Sequence, residues 1–140
     1  MKKNFSLREM VVSSSHPKLL PTSIPISVAD NLMNVWFYIL QPLREAYGKP
    51  IVVTSGYRPT ALNSAVGGVK NSQHLTGEAV DIVAQQRSDT DQLGKLIESL
   101  HLPFDQLIYE GTWIHVSYSA RQRRQIIKAR RMTCLFFVNL

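Results

Sequence analysis

The chain has 140 residues, 44% hydrophobic and 19% charged, which is one domain's length and excludes a largely disordered chain. No run approaches the ~20 apolar residues of a bilayer helix, and a lone cysteine, Cys134, excludes an intrachain disulfide scaffold. The net charge of +6 is concentrated in residues 121–131, where Arg121, Arg123, Arg124, Lys128, Arg130 and Arg131 lie beyond the last acid, Glu110.

Ser6 and Glu9 stand three residues apart, the spacing of a capping box, and predict a short opening helix. Pro17, Pro21 and Pro25 forbid a long helix in the stretch that follows. Ser27 is placed to cap a longer helix reaching about Tyr47, because Leu32, Val35, Trp36, Ile39, Leu40 and Leu43 recur at helical spacing. Pro42 falls inside that pattern and predicts a kink or a split, while Gly48 and Pro50 mark its end. Residues 51–54 are β-branched and read as a strand. Residues 55–73 read as loop, with one helical turn near 60–63 and a turn at Gly67-Gly68. A second strand is expected over 79–84, then a helix capped by Ser88 or Asp89 and running to about Leu100. Strands over 106–109 and 113–118 meet at a tight turn, Glu110-Gly111.

This order predicts an α+β domain over residues 1–120, with a small antiparallel sheet flanked by helices. Residues 121–140 read as a basic, then apolar tail. Its charge suits an anionic surface, but no aromatic is interleaved before Phe136-Phe137 and no nucleic-acid-reading motif is present. Nucleic acid is therefore not an expected partner, and the chain is taken as a monomer. Residues 135–138 are apolar enough to dock back on the body. At the other terminus, Lys2 and Lys3 suit a secretion signal, but Ser6, Arg8 and Glu9 interrupt any apolar run. The expectation is cytoplasmic synthesis without a signal peptide.

Three potential metal ligands stand out. Asp81 interrupts an otherwise apolar strand, and a carboxylate there is costly unless it is paired or bound to a metal. Its neighbours Val80 and Ile82 alternate to the opposite face, leaving Asp81 free to project into a cleft. His115 has the same relation to Ile114 and Val116. His74 precedes Asp81 by seven residues, with Gly77 between them to turn the chain. Two imidazoles and one carboxylate form a catalytic zinc set with one position open. The residues alone leave other readings: Asp81 paired with Arg58 or accepting turn amides, and His115 as a hydrogen-bonded strand residue.

The ordered run Ser55-Gly56-Tyr57-Arg58-Pro59, Leu62-Asn63, Val66-Gly67-Gly68, Ser72 to Asp81, and Trp113-Ile114-His115-Val116-Ser117 resembles the zinc D-alanyl-D-alanine carboxypeptidase family of bacterial and phage peptidoglycan peptidases. The resemblance covers roughly residues 5–120, and the Ser72 to Asp81 stretch is its most specific part. It implies Zn2+ on His74, Asp81 and His115, held in a cleft on one face of the sheet. It also implies Arg58 near the substrate's developing negative charge, and Tyr57, Ser72 and Trp113 at substrate-contacting positions. Many relatives carry an acid three residues before the last histidine, where this chain has Thr112. Glu110 is the nearest acid and becomes the expected general base, with Glu78 as the second candidate. The implied activity is hydrolysis of D-Ala-containing peptide bonds in peptidoglycan, as a DD- or LD-carboxypeptidase or an endopeptidase. The substitution at Thr112 motivates the alternative, a zinc-containing module that binds wall peptides without cutting them. A wall hydrolase lacking a signal peptide fits an endolysin-like enzyme that acts once released.

Overall fold

The computed structural model describes residues 4–129. Arg130, Arg131, Cys134 and the apolar 135–138 segment with Phe136-Phe137 lie outside that range.

Ser6 caps the opening turn as expected, accepting from the amide of Glu9, but Glu9 answers on the Ser6 hydroxyl and not on its backbone amide, and a 3₁₀ turn follows over Leu7–Met10. Helix α1 (Ile26–Val35) begins one residue before the expected cap, directly after Pro25. Pro42 has the effect its chemistry demands. It offers no amide proton, and its ring crowds the carbonyl four residues back. The chain answers by widening into a π-helical turn over Trp36–Leu40, in which the Gln41 amide bonds to the Trp36 carbonyl, before α2 (Gln41–Tyr47) resumes. Gly48 closes α2 in the left-handed conformation, φ 78°.

Strands β1 (Ile51–Ser55), β2 (Ala79–Ala84), β3 (Gln106–Tyr109), β4 (Ile114–Ser117) and β5 (Gln125–Lys128) form one sheet in the order β1-β2-β4-β3-β5. Two short elements complete the chain, α3 (Thr60–Ala65) and α4 (Thr90–Ser99). The first four strands pair antiparallel, but β5 runs parallel to β3. The sheet is therefore mixed, not purely antiparallel. Residues 125–128, expected in a tail, supply its edge strand.

Ser88 does not cap α4, and Asp89 occupies its N-cap position without the expected side-chain bond. The Asp89 carboxylate instead accepts from the Tyr47 hydroxyl at 2.6 Å and pairs with Lys49, pinning the end of α2 to the start of α4.

Strand β2 is buried along its whole length. On one face Val80 and Ile82, with Ile114, Val116 and Leu107, pack against Leu32, Val35, Ile39, Leu43, Leu93 and Ile97 of the helical layer. Each such side chain contributes about 1.5–3 kcal/mol by leaving water. With helices over that face, the alternating residues Asp81 and His115 are left for the other face.

Candidate metal centre

Strand register brings two of the three expected ligands together. Asp81 of β2 lies directly opposite His115 of β4, and side chains directly opposite on a sheet share a face. His74 arrives from a 3₁₀ turn over Gln73–Thr76, capped by Ser72, whose hydroxyl accepts from the His74 amide at 3.2 Å. Gly77 then takes φ 79°, and a side chain there would meet the Val28 carbonyl at 2.8 Å. This tight left-handed turn sends the chain from His74 straight into β2.

The three side chains are buried, and one donor atom from each lies within 4.8 Å of the others. His74 Nε2 and His115 Nδ1 each lie 3.2 Å from Asp81 Oδ1. Donors bound tetrahedrally to zinc at about 2.0–2.1 Å stand roughly 3.3–3.4 Å apart, so the spacing fits that ion. The orphaned atoms agree for His74, whose Nε2 is buried without a hydrogen-bond partner; on His115 the unpartnered nitrogen is Nε2, whereas Nδ1 faces Asp81. His74 Nδ1 donates to the Gly56 carbonyl at 2.7 Å, which fixes the tautomer and leaves the Nε2 lone pair facing the centre. Burial alone pushes the Asp81 carboxyl up, but the neighbouring His115 and His74 imidazoles outweigh it and hold the group well below the usual carboxylate range. Asp81 thus stands ionised, as a ligand must.

The loop before this turn explains the glycine-rich motifs. A Cβ on Gly56 would sit 1.9 Å from the Met10 carbonyl oxygen, which accepts from the Tyr57 amide. Arg58 places its guanidinium on three partners: Nε donates to Ser55, Nη1 to Asn63 and Nη2 to Asp81 Oδ2 at 3.2 Å. Gly68 packs against Asn63, where a side chain would meet its Oδ1 at 2.0 Å. Arg58 is thus engaged on the ligand carboxylate itself, the structural pairing that the sequence leaves open.

The three ligand residues lie in the lining of an open cleft of about 550 Å³. Arg58, Ser72, Gln73, Glu110 and Trp113 line it. A second depression shares Asp81 and Trp113 and continues past Thr112 and Arg87. Gly111, at φ 100°, and a bond from the Glu110 amide to the Trp113 carbonyl shape the β3–β4 turn. This turn brings Glu110 to the cleft that holds the donors. Burial raises the Glu110 carboxyl above its ordinary value, with the His115 charge opposing. Two expected positions fall outside this lining. Tyr57 packs against the core, and Glu78 accepts from the Thr76 hydroxyl away from the donors.

One residue behind the cleft lining goes unnoticed in the sequence. Asp105, at the entry to β3, is fully buried. It accepts from Gln73 Nε2 at 2.8 Å, from Arg121 Nη2 at 3.4 Å, and from the backbone amide, Nε and Nη2 of Arg123 at 2.9 Å. The signal available was charge complementarity, a lone acid between Glu98 and Glu110 against the run of arginines.

A sheet floor bearing a histidine and an aspartate, joined by a second histidine from the adjoining 3₁₀ turn at an open cleft, is the arrangement a metal-dependent peptidase requires. The chain belongs to the peptidase M15 family, whose model matches residues 3–117. It is also 38% identical over 82 residues to a zinc D-Ala-D-Ala carboxypeptidase of Streptomyces albus G. That match covers 58% of this chain and 31% of the relative's length.

Proposed function

We propose that this domain is a zinc-dependent peptidase acting on D-Ala-containing peptides of the bacterial cell wall. The observation that carries the reading is the approach of His74 Nε2 and His115 Nδ1 to Asp81 Oδ1, each at 3.2 Å, by three residues that line one cleft. Family membership and the activity named for the Streptomyces relative support the substrate class.

Zinc held by this set supplies Lewis-acid chemistry and makes water a usable nucleophile near neutral pH. Glu110 takes the proton from the attacking water and returns it to the leaving amine. Its raised affinity for protons suits that shuttle. Arg58 holds Asp81 in its ligating orientation and, as a residue of the cleft lining, is the group that would receive negative charge there. Trp113 walls the cleft on the side of the second depression. Ser72 shapes the His74 turn and lines the same cleft, placing it within reach of substrate.

Thr112, a residue that cannot act as a base three positions before His115, favours a second reading: a module that binds wall peptides without hydrolysing them. Digestion of purified peptidoglycan, with products identified by mass, separates the two. Release of D-alanine or of cross-link fragments, abolished by chelator and by Glu110→Gln, supports the peptidase and tells carboxypeptidase from endopeptidase. Tight binding without product supports the module.

A further inference from the structure

The second charged group at the cleft lies outside the metal machinery. Arg121 and Arg123 line the same cleft as His74, Asp81 and His115. Asp105 anchors both, and its single charge leaves the pair with one positive charge in excess. Arg123 is held in the plane of the carboxylate by Nε and Nη2. Arg121 makes one longer contact, keeps 60% of its side chain exposed, and so has most of its donors free. The backbone around them takes an unusual conformation. Gln122 and Arg124 adopt φ 40° and 53°, a conformation that non-glycine residues seldom accept. Arg124, in contrast, turns away to the His101 carbonyl and the Phe104 ring.

The placement along the sheet is specific. Glu110 follows β3 at the hairpin, and Asp105 precedes its other end. His115 pairs with Ile108 between them. The anchoring acid is three residues from Ile108, roughly 10 Å along the strand, a distance that an arginine side chain shortens further. Gln73 bridges the two features, adjoining His74 in sequence and bonded to Asp105.

We infer that Arg121 and Arg123 form a subsite for a free carboxylate of the substrate peptide, on the opposite side of the metal centre from Glu110. The inference rests on the peptidase reading above. It makes residues 121–123 determinants of which peptides are cut, with Asp105 as the positioning residue beneath them. The carboxylate comes either from the peptide's C-terminus or from an acidic side chain near the scissile bond.

The test uses the zinc-loaded protein and three synthetic D-Ala-D-Ala peptides: a free C-terminal acid, its C-terminal amide, and that amide with a neighbouring Gln replaced by Glu. Wild type is expected to favour a carboxylate-bearing peptide over the plain amide by about tenfold or more in kcat/KM, and the favoured peptide identifies the source. In Arg121→Gln that ratio falls towards one, and Arg121→Lys recovers part of it. Arg123→Gln behaves alike, and an unchanged near-UV circular dichroism spectrum shows that it folds. A preference that survives in Arg121→Gln and Arg123→Gln, or no preference in wild type, overturns the subsite and leaves the peptidase reading standing. Failure of wild type to hydrolyse any of the three overturns the reading itself and the subsite with it.

Discussion

Arg58 Nη2 lies 3.2 Å from Asp81 Oδ2, the carboxylate oxygen that neither histidine faces. The two oxygens of one aspartate thus divide their work: Oδ1 turns to the imidazoles and Oδ2 to a half-buried guanidinium. Arg58 fixes the carboxylate's rotation and offsets its charge. Groups in this position tune a metal site strongly. Arg58→Gln is expected to weaken zinc binding about 10–100-fold with the fold intact. Competition against a chromophoric chelator measures this, and an unchanged zinc affinity contradicts the role.

Glu110 is the only carboxylate besides Asp81 to line the cleft among the described residues. Glu110→Gln keeps the shape and removes the base. Hydrolysis is expected to fall about 10²–10⁴-fold while zinc content stays at the wild-type level. Glu78→Gln, which alters an acid outside the cleft lining, serves as the comparison and is expected to retain activity.

Gly56 serves the site through its backbone. Its carbonyl accepts from His74 Nδ1, and its missing side chain makes room for the Met10 carbonyl. In Gly56→Ala the added carbon meets the Met10 backbone and cannot be relieved by a side-chain rotation. The variant is expected to lose about 2–4 kcal/mol of stability and to bind zinc more weakly, because the His74 ring loses its anchor. Denaturant melts and zinc titration check the two effects separately.

Asp105 gives the fold a dependence on pH. Hydrogen bonds from Arg123 hold its carboxyl well below the usual carboxylate range, burial opposing. A depressed folded-state value means that the stabilisation is fully present above the unfolded carboxylate's pKa, near 4, and fades as pH falls below it. Asp105→Asn is expected to cost about 2 kcal/mol at neutral pH and to flatten the loss of stability below pH 4. Urea melts across that range test it, and parallel wild-type and variant curves would sink the claim.

The sequence discloses elements whose cause is local. Residues 51–54, 79–84 and 106–109 announce strands by β-branching, and Pro42 announces the break that becomes a π-helical turn. The three metal donors are legible because a strand aspartate and a strand histidine violate the apolar pattern around them. Strand β5 escapes notice because four residues, Gln125-Ile126-Ile127-Lys128, sit among arginines and gain their partner only through parallel pairing with β3. Asp105 escapes for the same reason: its partners lie 32, 16 and 18 residues away. Tyr57 misleads in the opposite sense, since its neighbours Gly56 and Arg58 serve the centre while its own ring packs into the core.

The central claim is that His74, Asp81 and His115 bind one zinc ion together. Elemental analysis of purified wild type beside His74→Ala and His115→Ala, each checked for folding by circular dichroism, tests it most directly. The expected result is close to one zinc per wild-type chain and a large loss in both variants. Folded wild type with no bound zinc after incubation with the metal, or variants retaining the full complement, would contradict it.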